Sequence, residues 1–367
     1  EAERGARALL GRFEPGDRVA VWAPSIAEWV LLEFAAGLAG LTLVTVNPAN
    51  GPEEVRHVLG HSGARGVFCV PQYRGNSLPA ILGTVRGDLP ELREVISLDG
   101  WQDFAATGDP AQRLPEVDPA DPAQILYTSG TTGLPKAAVL PHGGITNNAR
   151  LVFESVGITP GEAAVNPMPL FHIAGCGLHV LGIAAGLGTH VLMPHFDPGL
   201  ELELIETFGA AGIGGVPTML HALIARSGAG NRELPSLRYG FSGGAPVSPD
   251  LARQMEETFG VPMLITFAQT ESCCSMTVTR TTDSPGDRAG TVGRPLPQTE
   301  VKITDPVTGA TLAPGLPGEI CTRGYLVMKG YLNDPAATAA TTAGCTPATW
   351  ARWTSAGTAR SSAGSRR

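Results

Sequence analysis

The sequence predicts an α/β protein built from two doubly wound subdomains with parallel sheets, followed by a small β-rich subdomain. Short apolar strands alternate with helical stretches in the first part of the chain, and the same alternation returns after residue 151. After Thr291 the texture changes to short strands broken by Gly and Pro. Alternation on this scale implies parallel strands joined by crossover helices.

In order, Arg18 to Ala23 reads as a strand, Ile26 to Ala39 as a helix and Leu41 to Val46 as a strand. Glu53 to His61 then reads as a helix and Gly66 to Val70 as a strand. The rhythm returns at Leu151 to Phe171, Gly177 to Met193, Leu200 to Phe208 and Gly212 to Ala225. It closes with Leu237 to Phe241, Pro249 to Phe259 and Met263 to Phe267. Glu300 to Thr304, Gly318 to Arg323 and Leu326 to Met328 are the short strands of the third part. The expected organisation is one large domain, 1–335, with α/β subdomains at 1–165 and 166–290 and a β-rich subdomain at 291–335. From 336 to 367 the chain turns to Ala, Thr, Ser, Gly and Arg, a composition that packs no core and predicts a disordered tail.

Of 367 residues, 43% are hydrophobic and 16% charged, which suits a globular enzyme and excludes a disordered chain. The net charge of −8, with no basic run before the tail, argues against a nucleic-acid partner. The most apolar stretch, Trp29 to Val46, carries Glu33, Gly37 and Gly40, so it reads as a buried helix and strand and not as a membrane span. Cys69, Cys176, Cys273, Cys274, Cys321 and Cys345 form neither a CxxC pair nor a disulfide framework, which favours a reducing compartment. The chain opens inside an amphipathic helix and carries no signal peptide, so a cytoplasmic protein is expected.

The strongest chemical signal is Tyr127-Thr128-Ser129-Gly130-Thr131-Thr132-Gly133-Leu134-Pro135-Lys136, directly after an apolar strand. Glycines let the backbone turn and present N–H groups, hydroxyls donate to phosphate oxygens, and Lys136 adds a mobile positive charge. It is not a Walker loop, because the glycine spacing differs and no Ser or Thr follows Lys136. One HxxxH pair exists, His57 and His61, but Val58 stands where a zinc protease has its Glu. A solvated or capping role is expected for both histidines.

The dense run resembles the phosphate loop of the adenylate-forming (AMP-binding) superfamily, which includes acyl-CoA synthetases, luciferases and peptide-synthetase adenylation domains. Further motifs resemble that family in order. Asn166 to Gly175 is similar to its Pro-Leu-Phe-His segment, which implies that His172 sits beside the phosphates and the acyl carboxylate. Gly215 to Met219 resembles the turn lining the acyl pocket, and Ser242-Gly243-Gly244-Ala245-Pro246 the adenine-binding turn. Phe267-Ala268-Gln269-Thr270-Glu271 resembles Tyr-Gly-x-Thr-Glu, with Phe267 in place of Tyr and Ala268 in place of Gly. By this resemblance Thr270 contacts a phosphate and Glu271 holds Mg²⁺, a role that suits a hard carboxylate oxygen. Gly318-Glu319-Ile320, Arg323-Gly324 and Met328 to Tyr331 resemble the β-rich pattern before the family's hinge.

The resemblance implies ATP-dependent activation of a carboxylic acid to acyl-AMP, then transfer to coenzyme A. His172, Thr270, Glu271 and Lys136 would be catalytic, and Thr128 to Gly133, Gly243 to Pro246 and Phe267 would bind nucleotide. Phe171 to Val180 and Phe267 to Met276, the candidate pocket segments, hold no acidic residue before Glu271, which favours a fatty or other apolar acid over an amino acid. An aryl- or amino-acid-adenylating enzyme is the alternative within the family. The family's small C-terminal domain is absent from the chain, and with it a lysine that completes adenylation, so weak nucleotide binding and slow adenylation are expected. The rival of another class is a non-catalytic remnant of a broken gene.

Neither the family's Trp-x-x-Thr-Gly-Asp nor its Gly-Arg-x-Lys hinge appears. Shifting the codons of Gly344 to Trp350 by one base is compatible with Trp-Leu-His-Thr-Gly-Asp-Leu. In the same frame, Ser362 to Arg367 allows Val-Gly-Arg-Leu-Lys-Glu. This points to a single-base insertion or deletion near Thr338 to Thr342; the alternative is a natural, unrelated low-complexity tail. Resequencing the coding DNA from the codon of Gly330 onward should find one added or lost base that restores both motifs. An unchanged reading, with no such domain in any downstream frame, would favour the remnant.

Overall fold

In the computed structural model the described residues are 1–128, 135–228, 233–342, 345–353 and 359–362, and beyond Thr341 only the side chain of Ala359 is described. Two compact units form. The first comprises Glu1–Gly143, Pro169–Cys176 and Met328–Pro335, and the second Gly144–Met168, Gly177–Val327 and Ala336–Arg367.

The first unit begins with helix α1 (Ala2–Leu10), strand β1 (Arg18–Trp22), helix α2 (Ala27–Leu38) and strand β2 (Thr42–Val46). Helix α3 (Pro52–Ser62) then leads to β3 (Gly66–Cys69), and β4 is Glu94–Ser97. Val19 to Trp22 and all of β2 are buried, the continuous apolar pattern of parallel strands covered on both faces. Strand β1 pairs in parallel with β2 on one side and β3 on the other, so the chain doubles back across its first strand. Helix α3 starts where sequence dictates: Pro52 takes the first position, and Glu54 reaches back 2.6 Å to accept from the Gly51 N–H. Gly63 ends the helix at φ 61°, a conformation that favours glycine.

Beyond β2 the sheet continues with β5 (Pro122–Thr128), parallel to it, and then β6 (Lys136–Pro141), antiparallel to β5. The two-residue strand Gly330–Tyr331 pairs with the outer edge of β6. The strand expected at Leu326 to Met328 is instead a turn from which Leu326 and Met328 are buried. Alternating apolar side chains mark burial, and burial needs no strand ladder.

The second unit holds helix α4 (His142–Val156) from Gly144 onward, strands β7 (Ala163–Asn166) and β8 (Thr189–Leu192), and a five-stranded sheet. That sheet runs β9 (Gly212–Gly215), β10 (Tyr239–Ser242), β11 (Met263–Gln269), β12 (Cys274–Val278) and β13 (Arg294–Pro295). Its first three strands are parallel, joined by crossover helices α6 (Pro217–Ser227) and α7 (Pro249–Phe259), and helix α5 (Pro198–Phe208) precedes β9. Leu202, Ile205, Leu220, Leu223, Leu251 and Met263 form its core.

The β-rich part pairs β14 (Thr299–Thr304) antiparallel with β15 (Gly318–Gly324). The tail, expected to lack structure, contributes the helix Pro335–Thr342 and the strands Cys345–Trp353 and Ala359–Ser362, the first of them paired to β15. An open strand edge offers unpaired N–H and C=O groups, and an extended backbone can use them whatever its side chains. Cys69, Cys176, Cys273 and Cys274 are buried free thiols, whereas Cys321 is disulfide-bonded, a bond that cysteine spacing did not signal.

Glu201, on α5, is 1% exposed. Its Oε1 accepts from the Gly214 N–H at 3.2 Å, and its Oε2 is buried without a hydrogen-bond partner among the described residues. Burial pushes its carboxyl up to about 8, against a smaller opposing effect of the Gly214 N–H. The folded protein therefore keeps a proton on Glu201 where the unfolded chain, titrating near 4.5, has lost it. Stability from this group is full below that unfolded value and lost as pH rises through about 8, at about 1.4 kcal/mol per pH unit inside the window. Glu201→Gln removes the loss. Urea unfolding across that window should show the variant gaining on the parent steadily as pH rises.

Candidate functional site

In the first unit the site residues stand on the β5–β6 hairpin. Thr128 pairs with Lys136 across the strand ends, and its Oγ1 donates to the Lys136 carbonyl at 3.4 Å. Ser129, Gly130, Thr131, Thr132 and Gly133 lie between them, outside the described residues. Lys136 Nζ is 5.1 Å from the centroid of the Tyr331 ring, a cation–π contact made by the strand on the far side of β6.

Tyr127 anchors the base of this hairpin. Its hydroxyl donates to the Val58 carbonyl at 3.1 Å and lies 3.0 Å from His61 Nδ1. The single hydroxyl proton goes to Val58, which assigns the proton of the second bond to His61 Nδ1. His57 and His61 stack with ring centroids 5.4 Å apart, each edge-on to Tyr127. Burial, then His57 and Arg18, lower the pKa of His61, which keeps it neutral. The solvated or capping role expected for this pair is thus corrected. At i, i+4 spacing the two rings share one helix face, and β5 packs an aromatic ring against that face.

His172 lies in a segment tied to the same sheet. Thr45 Oγ1 donates to the Phe171 carbonyl at 2.9 Å, and the Leu170 N–H donates to Ser25 Oγ at 3.3 Å. The His172 carbonyl accepts from the Gly175 and Cys176 N–H groups at 2.8 and 3.1 Å. The Ala174 N–H donates to His172 Nδ1 at 3.2 Å, so in the neutral ring the proton sits on Nε2. His172 keeps an exposed surface, yet burial of its ring lowers its pKa, and a donor aimed at Nδ1 also disfavours a second proton. The result is a neutral N–H donor, able to stabilise negative charge on an oxygen.

A buried polar chain backs this segment, and sequence reasoning missed it. Gln124, on β5, donates from Nε2 to Glu33 Oε1 at 2.5 Å and accepts from Cys176 Sγ at 3.3 Å. Cys176 Sγ also lies 3.4 Å from the His172 carbonyl. Burial raises the Glu33 carboxyl well above its usual range, with the Gln124 bond opposing. The signal was present: an amide inside an apolar strand and an acid inside an apolar helix both require partners.

In the second unit the turn after β10 carries Gly243, Gly244, Ala245 and Pro246. A Cβ at Gly243 would lie 2.5 Å from Thr266 Cγ2, and Gly244 has φ +78°, so neither position suits another residue. Phe267 and Ala268 straddle a bulge between β11 and β12, and the Phe267 ring packs on Ile303 and Ile320. Ala268 keeps a negative φ, so the Cβ it adds meets no left-handed backbone. Thr270, Glu271 and Ser272 form a single 3₁₀ turn in which Thr270 and Glu271 are half-buried. A carboxylate with a neighbouring hydroxyl fits Mg²⁺, which is held through one or two carboxylates plus phosphate oxygens. Glu271 would hold it.

Doubly wound α/β sheets with functional loops at strand ends define a class of nucleotide- and substrate-binding proteins. Within that class the chain belongs to the AMP-binding enzyme family, whose model matches residues 1–332. It is 34% identical over 351 residues to YngI of Bacillus subtilis, an acyl-CoA synthetase by name, covering 88% of this chain and 64% of that one. It is 30% identical over 370 residues to the rat mitochondrial medium-chain acyl-CoA ligase ACSF2, covering 91% and 60%. Among solved structures, ATP-bound MatB from Rhodopseudomonas palustris superposes with a TM-score of 0.85 at 27% identity, covering 98% of this chain and 71% of that one. The chain thus spans 60 to 64% of the length of the curated relatives it matches.

Histidine ¹⁵N shifts at neutral pH should identify His172 as the Nε2–H tautomer, with titration beginning below the ordinary value of about 6.5. An Nδ1–H pattern would contradict the Ala174 contact.

Proposed function

We propose that the protein activates a carboxylic acid with ATP and passes the acyl group to coenzyme A. In the first step a carboxylate oxygen bonds to the α-phosphorus while the bond to the bridging oxygen breaks, and pyrophosphate departs. In the second the coenzyme A sulfur bonds to the acyl carbon, AMP leaves, and the thiol proton passes to solvent base. The observation that carries this reading is the pairing of Thr128 with Lys136, which sets a lysine at the mouth of a loop rich in hydroxyls and glycines. Family membership and the names of the relatives add support.

In this reading Thr128 to Gly133 and Lys136 bind the phosphates, and Gly243 to Pro246 and Phe267 the adenine. His172 donates from Nε2 to an oxygen gaining charge, and Thr270 contacts a phosphate. Mg²⁺ on Glu271 would neutralise phosphate charge. Fatty or other apolar acids are the proposed substrates, since the segments 171–180 and 267–276 offer no acidic side chain before Glu271 to hold an amine. A cytoplasmic location belongs to the same proposal, supported by four buried free thiols although Cys321 is disulfide-bonded. Among the described residues no helix is long and apolar enough to cross a membrane.

Calorimetry with MgATP should show saturable binding, and its absence would favour a non-catalytic remnant. ATP–pyrophosphate exchange should be stimulated by medium- or long-chain fatty acids and reduced about 100-fold or more by Glu271→Gln. Exchange driven by amino acids but not by fatty acids would overturn the substrate assignment.

A further inference from the structure

The turn that carries Thr270 and Glu271 runs into two residues with unfavourable backbone. Cys273 has φ 52° and Cys274 φ 106°, and neither is glycine. Left-handed backbone at a residue with a Cβ persists only where surrounding contacts over-determine it. Those contacts come from two buried side chains. Ser272 Oγ, wholly buried, lies 3.0 Å from the Gln269 carbonyl and 2.9 Å from the Cys274 carbonyl, spanning the turn. Asn148, on α4 and also wholly buried, holds the next residue by both backbone groups. Its Nδ2 donates to the Ser275 carbonyl at 2.6 Å, and the Ser275 N–H donates to its Oδ1 at 3.0 Å. The amide thus takes the place of a neighbouring strand at the start of β12.

We propose that Asn148 is a positioning residue for the Thr270–Glu271 turn: with Ser272 it latches strained backbone so that the threonine hydroxyl and the glutamate carboxylate are presented in one fixed arrangement. The functional half of this statement rests on the reading of Thr270 and Glu271 as phosphate and Mg²⁺ ligands; the latch itself does not. Without Asn148 the Ser275 N–H and carbonyl are left buried and unpaired, and relaxing the strain becomes the easier outcome. Thr270 and Glu271 then sample several positions, and a metal–phosphate site demands one.

Cys273 and Cys274 report directly on the latch. Both thiols are buried, so they should react slowly while the turn is held. The test measures iodoacetamide alkylation at these two thiols, located by peptide mass mapping, in the parent, Asn148→Ala, Ser272→Ala and the control Val152→Ala. Val152 is buried one turn further along the same helix, so the control loses packing there while keeping the Asn148 and Ser272 side chains that make the latch. Alkylation at Cys273 and Cys274 should be about tenfold faster or more in Asn148→Ala and Ser272→Ala, and within about twofold of the parent in Val152→Ala. Parent-like rates in the folded latch variants, or equal acceleration in Val152→Ala, would overturn the latch; if Asn148→Ala does not fold, Ser272→Ala decides. MgATP calorimetry on the same proteins tests the consequence, with a dissociation constant raised about tenfold or more in the latch variants and unchanged in the control. Equal affinities throughout would refute positioning. A parent that binds no MgATP would sink the assignment of Thr270 and Glu271, while the alkylation rates still decide the latch.

Discussion

The antiparallel register between β5 and β6 sets Thr128 opposite Lys136, and the phosphate site proposed for the first unit rests on that pairing. Strand β5 is held on its other edge by β2, whose side chains are all buried. At its end, the Tyr127 hydroxyl is tied to the Val58 carbonyl of α3. The same sheet holds the residue before His172: Thr45, next along β2 from the Val44–Ile125 pair with β5, donates to the Phe171 carbonyl.

Buried polar groups tighten this arrangement, and burial favours their neutral forms. Glu33, Gln124 and Cys176 form a hydrogen-bonded series in which burial favours the protonated glutamate. Glu201 does the same for the Gly214 N–H in the second unit. A neutral acid accepting one bond is far less costly to bury than a carboxylate, and it fixes direction where an apolar side chain would only fill space. His172 follows the same logic: a donor N–H at Nδ1 and partial burial leave it an uncharged donor.

The turn after β11 works in the opposite sense, by holding strain. Cys273 and Cys274 take backbone angles that glycine would accept more easily. The sequence carried no sign of this, because two cysteines in a row read as small hydrophobes. Ser272 within the turn and the amide of Asn148, distant in the chain, together account for the geometry.

Much of the fold was legible beforehand. Apolar runs at Arg18 to Trp22, Thr42 to Val46 and Met263 to Phe267 needed burial on both faces, and Pro and Gly around Pro52, Pro249 and Gly260 marked helix ends. The loop from Thr128 to Lys136 stood out because its composition has few other uses. Local chemistry, read along the chain, therefore determined the fold class and pointed to the candidate site residues. Tertiary structure alone decided who holds them: His61 against Tyr127, Gln124 between Glu33 and Cys176, and Asn148 across from Ser275. It also turned Leu326 to Met328 from a strand into a turn and paired the tail with β15. The physical reason is one of range. Periodicity and turn propensity act over a few residues, whereas a buried hydrogen bond joins groups that only the packed chain brings within 3 Å of each other.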